Sequence, residues 1–239
     1  MRSDGTADGC ARLAAREEGK GQIMNGLVTI MRAADAAARW HVNQRRKGAA
    51  QEPYVTHLLE VAKLVAEATA GADHNLIVAA LLHDTIEDQG VTREEIAAQF
   101  NDDVAALVVE VTDNKKLPKA ERKQLQIKHA PDLTPRAKIL KFADKISNLR
   151  SLATSPPADW PMQRRIDYVV WTMEVVQGLR GASDLLEQEF DRAAADAERI
   201  IPWRQKADST NRPASARDAA GLGVPADEPS SVGPRPVTP

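Results

Sequence analysis

The chain has 239 residues, of which 43% are hydrophobic and only 4% aromatic, so a core of Ala, Leu, Ile and Val is expected. Its formal net charge is −2, and this balance argues against nucleic acid or an anionic membrane as a partner. The single cysteine, Cys10, excludes an intramolecular disulfide and a thiolate metal cluster. The longest apolar run, residues 76–82, is too short for a membrane span, and the charged N-terminus is unlike a signal peptide. We therefore expect a cytoplasmic protein.

Composition divides the chain into three parts. Residues 1–22 lack a clear apolar stripe, whereas residues 205–239 contain no aromatic residue and are rich in Pro, Ala and Ser. Neither segment can bury enough surface to offset the entropy of ordering. The sequence therefore predicts a flexible N-terminal segment (1–22), one folded domain (23–204) and a disordered tail (205–239).

The hydrophobic pattern of the folded part has a helical period nearly everywhere. The first stripe consists of Leu27, Ile30, Met31, Ala34, Ala38 and His41. The second consists of Leu58, Val61, Ala62 and Val65. A third helix is predicted from a cap at Asp73, through His83, to about Asp88.

Four more helices follow in the pattern. Thr92 and Glu95 have the spacing of a capping box. In "LTPRAKILKFADKISNLRSL" Thr134 is the expected cap, Pro135 occupies the first helical position, and the inward stripe includes Asp144. Two further helices, near 162–179 and 183–201, complete a predicted all-α bundle, and no segment alternates convincingly as a strand.

The stretch "AALLHDTIED" (residues 79–88) places ionisable groups on a helix that is otherwise apolar. Buried imidazole and carboxylate groups are costly without a partner of opposite charge, and a divalent cation would supply one. The candidate ligands, from three helices, are His57, His83, Asp84 and Asp144. Two nitrogens, two carboxylates and open positions for water suit one Mn²⁺ or Fe²⁺ better than Zn²⁺.

A His-Asp pair by itself is more often a cap, a surface pair or a hydrogen-bonded core histidine. Three inward-facing segments that each carry such groups form a much rarer combination. We interpret His41 and His129 as helix-end or surface residues and His74 as structural.

Five blocks occur in order along the chain: "RRK", "PYVTHL", "AALLHDTIEDQGVTREEI", "VTDNKKLPKAERK" and "KFADKISNLRSL". Together they resemble the HD hydrolase domain of the Rel/Spo family, especially its small stand-alone members, over roughly residues 25–190. The resemblance implies an all-α HD fold and a manganese ion held by the same four ligands. It also implies hydrolysis of guanosine tetra- or pentaphosphate (ppGpp or pppGpp), the alarmone of the stringent response, with release of pyrophosphate from the 3′ position.

The resemblance also assigns roles to other residues. Glu87 and Asp88 would orient or deprotonate the attacking water, and acids at a helix C-terminus oppose the macrodipole, which favours a functional reason over a purely structural one. The expected substrate contacts are Arg46, Lys47 and Lys119 for phosphates and Asn148 for base or ribose. Tyr54 is interpreted as a staple, and the remaining basic residues Lys116, Arg122 and Lys123 as solvated.

The chain departs from the family pattern at two positions. The proline often found after the ligand histidine is replaced by Leu58. Ser147 stands where many members carry a histidine or an aromatic residue, on the expected wall of the substrate pocket.

Two other functions are weighed beside the alarmone hydrolase. One is an HD phosphatase of a different nucleotide, such as NADPH, and the other is a non-catalytic HD regulator. Loss of a ligand or of the acidic pair would favour the regulator, and neither is lost. A guanosine polyphosphate is the expected partner, and the sequence leaves open whether the chain forms a homo-oligomer.

Overall fold

The computed structural model describes residues 24–202. Within that range the regular structure is helical, with one isolated β-bridge between Arg45 and Pro53 and no strand. The all-α prediction is therefore confirmed. The predicted flexible segment (1–22) and the predicted disordered tail (205–239) lie outside the described residues.

The predicted helices occur in the predicted order, and two further helices, within residues 102–129, are additional to the prediction. Helix α1 covers residues 24–40 of the described range. The helices after it are α2 (Val55–Ala68), α3 (His74–Leu82), α4 (Thr85–Gln89), α5 (Arg93–Gln99), α6 (Asp102–Val111), α7 (Lys119–His129), α8 (Pro135–Thr154), α9 (Met162–Gln177) and α10 (Asp184–Glu198), with a 3₁₀ turn at Ala130–Asp132.

Side-chain caps fix where several helices begin. The Asp73 carboxylate accepts from the backbone N–H of Leu76 at the start of α3. Thr92 and Glu95 form both hydrogen bonds of the predicted capping box. Thr134 caps α8, with proline at its first position. These short polar side chains satisfy backbone N–H groups that a helix leaves unpaired, which is why the starts could be predicted from the sequence.

The core surrounds α8, which packs against α2, α6, α9 and α10. Helix α3 is apolar all round, and every residue from Leu76 to Leu82 is buried. Phe142 of α8 and Phe190 of α10 meet edge to face, with ring centroids 5.8 Å apart. The α2 stripe and the α8 stripe are both buried as predicted, so that α2, α3 and α8 present their inner faces to one another.

The buried face of α1 differs from the prediction. Leu27 and Met31 are 50% and 68% exposed, whereas Ala33 and Ala37 are fully buried. Small side chains allow α1 to approach the rest of the domain closely. Of the predicted stripe, Ile30 and Ala34 pack against the core, whereas Leu27 and Met31 face outwards, so the predicted stripe is only partly the buried face.

The predicted third helix is in fact two helices. Helix α3 ends at Leu82, His83 is its C-cap, and Asp84 is the N-cap of the five-residue helix α4. Neighbouring residues on a continuous helix point about 100° apart. The junction instead brings the His83 imidazole and the Asp84 carboxylate within 3.1 Å of each other.

This junction also changes the setting of the acidic pair. Glu87 and Asp88 lie in the first turn of α4, where negative charge is favourable, rather than at the end of a long helix. The macrodipole therefore gives no reason to expect a special role for them. None of the helices in the described range is long and apolar enough to cross a membrane.

Candidate active site

The four predicted metal ligands converge from three parts of the fold. His57 lies in the first turn of α2, His83 and Asp84 form the α3–α4 junction, and Asp144 lies in the middle of α8. His57 Nε2 is 3.4 Å from Asp144 Oδ1 and 3.6 Å from Asp84 Oδ2. His83 Nε2 is 3.1 Å from Asp84 Oδ2 and 3.8 Å from Asp144 Oδ1. These four residues are called the ligand cluster below.

The ligand cluster has the dimensions of a divalent-metal site. Donor atoms bound about 2.1 Å from one ion at right angles lie ~3 Å apart, close to the observed separations. The donor atoms of His57, His83 and Asp144 all lie within 4.8 Å of one another. The two Nε2 atoms are buried and have no hydrogen-bond partner in the protein. Ordinary core histidines are hydrogen-bonded, so this arrangement fits a cation better than a structural role.

Each ligand histidine is oriented through its other ring nitrogen. His83 Nδ1 lies 2.9 Å from the carbonyl oxygen of Ala80, which can only accept a hydrogen bond. His57 Nδ1 lies 2.8 Å from Ser147 Oγ. Both rings therefore turn Nε2 towards the centre of the cluster, the form in which an imidazole binds a metal.

The ligand carboxylates are held by neighbouring donors. Tyr54 donates its hydroxyl to Asp84 Oδ2 at 2.6 Å, so it does more than staple the start of α2. Asn148 donates its amide to Asp144 Oδ1 at 2.6 Å, and Lys145 Nζ lies 3.3 Å from Asp144 Oδ2. Side chains of the protein itself therefore orient both ligand carboxylates.

Opposite charges outweigh burial in this cluster. Burial would lower the pKa of His83, but Asp84 and Asp144 raise it to about 10. Burial would raise the pKa of Asp84, but the two imidazoles hold it well below its usual range. Burial has the same effect on Asp144, where Lys145 and the imidazoles keep the pKa well below its usual range.

The acidic pair lies one turn beyond the ligand cluster. Asp88 is held at both oxygens, since Gln44 donates to Oδ2 at 2.8 Å and Lys115 to Oδ1 at 2.6 Å. Glu87 has looser ion pairs, 3.6 Å to Arg122 and 3.8 Å to Lys115. Burial and the neighbouring carboxylates raise the pKa of Glu87.

The predicted substrate contacts fall into two groups. Arg46 donates to Asn148 Oδ1 at 3.1 Å, and its guanidinium lies 5.7 Å from the centre of the Tyr54 ring. Arg46 and Asn148 are therefore connected to the ligand cluster. Lys47 and Lys119 lie at the protein surface, and their role as phosphate contacts stays a prediction.

The structure also shows a groove that the sequence interpretation missed. A cavity of about 310 Å³ lies between α7 and α9 and is lined by Ala120, Lys123, Gln124, Asp167, Val170, Trp171 and Glu174. Lys123 Nζ and Lys145 Nζ lie 4.6 and 4.5 Å from the centre of the Trp171 ring. Because Lys145 also contacts Asp144, it links this groove to the ligand cluster.

Two residues beside the groove differ from their interpretation as solvated cations. Burial and the neighbouring lysines lower the pKa of Lys123 to about 8. Arg122 is partly buried beside Glu87. The sequence feature that could have indicated the groove is the group of aromatic residues Trp160, Tyr168 and Trp171. In the structure their neighbouring ring centroids lie 5.7 and 5.4 Å apart. So few aromatic residues occur in this chain that their concentration in and just before α9 was informative.

The structure also gives the surroundings of Ser147, Leu58 and His41. Ser147 is only 1% exposed and lies behind His57, so it is not part of a substrate wall. Leu58, at the position of the family proline, is fully buried in the core. His41 is buried and stacks on Tyr54 with ring centroids 5.2 Å apart, so it is not a surface residue.

Comparison with known proteins agrees with this geometry. A family model described as an HD domain matches residues 33–172. The guanosine-3′,5′-bis(diphosphate) 3′-pyrophosphohydrolase MESH1 of Xenopus tropicalis is 46% identical over 167 residues, which is 70% of this chain and 93% of that protein. MESH1 of Homo sapiens is 44% identical over 159 residues, covering 66% and 89% of the two chains.

A solved structure of a metazoan ortholog of SpoT that hydrolyzes ppGpp superimposes with a TM-score of 0.68 at 40% identity. The match covers 72% of this chain and 96% of that one. The structure of lmo0812 from Listeria monocytogenes EGD-e gives a TM-score of 0.51 at 31% identity, covering 61% and 99%. The chain therefore belongs to the HD-domain family and, within it, to the group that includes the MESH1 proteins.

Proposed function

We propose that this protein is a metal-dependent guanosine-3′,5′-bis(diphosphate) 3′-pyrophosphohydrolase, which removes pyrophosphate from the 3′ position of ppGpp or pppGpp. The observation that carries the proposal is the ligand cluster with Glu87 and Asp88 beside it. Relatives that bear this enzyme name match the chain over about nine-tenths of their own length.

We propose one Mn²⁺ as the ion. His57 and His83 offer nitrogen, Asp84 and Asp144 offer oxygen, and no thiolate lies among these ligands, which suits Mn²⁺ or Fe²⁺ better than a structural zinc site. When bound, such a cation lowers the pKa of water and offsets charge on phosphoryl oxygens.

Glu87 is proposed to accept the proton of the attacking water. Its raised pKa and partial burial suit proton exchange, whereas Asp88 is fixed by Gln44 and Lys115 and would orient the water. Attack at the inner 3′ phosphorus forms a new P–O bond and breaks the bond to O3′. The proton taken from water then goes to O3′, so that ppGpp gives GDP and pyrophosphate.

The substrate is proposed to lie between the ligand cluster and the groove. Arg46 beside Asn148, Lys145 beside Asp144 and Lys123 beside Trp171 would offset the phosphate charges. Asn148 would hydrogen-bond base or ribose, with Lys47 and Lys119 at the outer phosphates.

We also propose that the protein acts in the cytoplasm without a nucleic-acid partner. The near-neutral charge and the single cysteine support this setting.

A nucleotide panel tests the proposed function. Mn²⁺-loaded wild type and Asp144→Ala are each incubated with ppGpp, pppGpp and NADPH. Asp132→Ala, at an exposed acid in the 3₁₀ turn, serves as the matched control for Asp144→Ala. Equal amounts of GDP and pyrophosphate from ppGpp are expected. Orthophosphate alone, or activity confined to NADPH, would instead support an HD phosphatase, and inactivity on every nucleotide would support a regulator.

A further inference from the structure

A chain of hydrogen bonds leads from the ligand cluster to the outside of the bundle. His57 Nδ1 is 2.8 Å from Ser147 Oγ, and Ser147 Oγ is 2.7 Å from Glu60 Oε2. Arg150 donates to Glu60 Oε1 at 3.0 Å and also binds Glu189 of α10. The catalytic roles described above use none of these residues except His57.

Which group donates in each of these hydrogen bonds follows from the acceptor at the end of the series, the Glu60 carboxylate. Glu60 is a carboxylate that can only accept, and although burial opposes its ionisation, hydrogen bonds from Ser147 and Arg150 lower its pKa. The single hydroxyl proton of Ser147 therefore points to Glu60. Ser147 Oγ is left to accept from His57 Nδ1–H, which leaves the Nε2 lone pair facing the ligand cluster.

His83 provides an internal comparison. Its Nδ1 lies beside a backbone carbonyl oxygen, that of Ala80, and no side-chain substitution removes that acceptor. The Nδ1 hydrogen bond of His57 depends on side chains alone. The two ligands therefore respond differently to substitution of Ser147.

We infer that Ser147 and Glu60 are positioning residues for the metal ligand His57, and that they raise the affinity of the ligand cluster for its cation. This inference rests on the proposed function only in that the ligand cluster binds a divalent ion. A carboxylate behind a ligating histidine fixes the ring and strengthens metal binding in many proteins, and here a hydroxyl lies between the two groups. Because Ser147 is a departure from the Rel/Spo pattern, this connection distinguishes the chain from members with histidine or an aromatic residue there.

A purely structural role for the same residues predicts different behaviour. Arg150 connects α8 to α2 through Glu60 and to α10 through Glu189, so the network also joins three helices. If that were its whole role, substitution of Ser147 would lower the Tm of the metal-free protein and leave metal affinity unchanged.

Metal titration without nucleotide separates the two roles. The full chain is stripped with a chelator and titrated with Mn²⁺, and free Mn²⁺ is followed by electron paramagnetic resonance. Ser147→Ala and Glu60→Gln are expected to bind one Mn²⁺ with a Kd raised about 10- to 100-fold, the usual effect of removing such a partner. Ser147→Thr keeps the hydroxyl and should restore most of the affinity.

Two matched controls use the same helices. Ser151→Ala lies one turn later on α8, and Glu67→Gln lies two turns later on α2 at an exposed position. Both variants should bind Mn²⁺ with the wild-type Kd, because neither side chain belongs to the chain of hydrogen bonds that joins His57, Ser147, Glu60 and Arg150.

A proton spectrum of the protein loaded with diamagnetic Zn²⁺ gives a readout that a structural role would not move. In Ser147→Ala the Nδ1–H resonance of His57 should shift and exchange with water, whereas that of His83 should stay. If Ser147→Ala fails to fold, Glu60→Gln decides, since the Glu60 carboxylate is partly exposed.

Wild-type Kd values and an unmoved His57 resonance in both variants would overturn the inference. So would a wild-type chain that binds no Mn²⁺. If both variants lose affinity as expected but the Mn²⁺-loaded wild type does not hydrolyse ppGpp, the proposed function alone is contradicted, because the titration contains no nucleotide.

Discussion

The ligand cluster and the groove between α7 and α9 meet at Lys145, yet they are built in opposite ways. In the cluster, His57 and His83 are buried on helices that are held by the core, and each donor is oriented by a hydrogen bond. The groove lies between α7, which has no buried residue, and the exposed side of α9. The comparison shows that the ligand cluster is positioned by the core, whereas the groove is formed by helices at the surface.

The largest expected effect comes from removing a ligand. Asp144→Ala should reduce ppGpp turnover by roughly three orders of magnitude or more and abolish tight Mn²⁺ binding, because the cation is central to the chemistry. Mn²⁺ at a hundred times its Kd should stabilise the wild type by about 2.7 kcal/mol and the variant hardly at all. Melting curves with and without Mn²⁺ measure this, with Asp132→Ala as control. A variant that binds Mn²⁺ and hydrolyses ppGpp as well as the wild type would remove Asp144 from the cluster.

The next largest effect is expected for substitutions of Glu87 and Asp88, which should impair activation of water without loss of the metal. Glu87→Gln should lower kcat about 10²- to 10⁴-fold, the usual contribution of a general base, while Mn²⁺ content stays at the wild-type level. Asp88→Asn should also lower kcat, because it loses the oriented carboxylate between Gln44 and Lys115. Single-turnover kinetics and metal analysis on the same preparations test both. Unchanged kcat in Glu87→Gln would show that another group takes the proton.

The difference between the two regions also explains what the sequence could predict. Buried ionisable groups interrupt the apolar pattern of α2, of α3 with its C-cap, and of α8, so His57, His83, Asp84 and Asp144 could be chosen as candidate ligands from the pattern of residues alone. The polar composition of α7 is that of any solvated helix, and its contact with α9 depends on residues distant in sequence. The sequence of α7 therefore indicates a solvated cation at Lys123.

The break at the α3–α4 junction was hidden for a related reason. His83 has helical dihedral angles, φ −59° and ψ −30°, and no glycine or proline marks the site. The first such mark is Gly90, with φ 68°, at the end of α4. Tertiary contacts of the ligand cluster, rather than local propensity, explain why the chain turns here.

The groove should affect binding more than chemistry. Lys123→Ala should raise KM for ppGpp roughly 10-fold with kcat within about twofold of wild type, because Lys123 lies beside Trp171, away from the ligands. Lys116→Ala, at an exposed lysine before α7, is the matched control and should change neither constant. Steady-state kinetics decide the point, and a loss confined to kcat would place Lys123 in the chemical step.

The smallest expected effect is on pH dependence. Burial and nearby lysines lower the pKa of Lys123 to about 8, so its charge is present below pH 8 and is lost above it. In the free enzyme kcat/KM should therefore fall above pH 8, by no more than the factor that Lys123→Ala produces. Lys123→Arg keeps its charge and should remove this fall. A fall of equal size in Lys123→Arg would assign it to another group.

Metal-dependent release of pyrophosphate from ppGpp is tested most directly by a stoichiometric titration of activity with Mn²⁺. Chelator-treated protein is given increasing Mn²⁺ at saturating ppGpp, and GDP and pyrophosphate are quantified at each step. Activity should rise from near zero to a plateau at one Mn²⁺ per chain, with GDP and pyrophosphate in equal amounts. Activity that is independent of Mn²⁺, or product that contains orthophosphate in place of pyrophosphate, would contradict it.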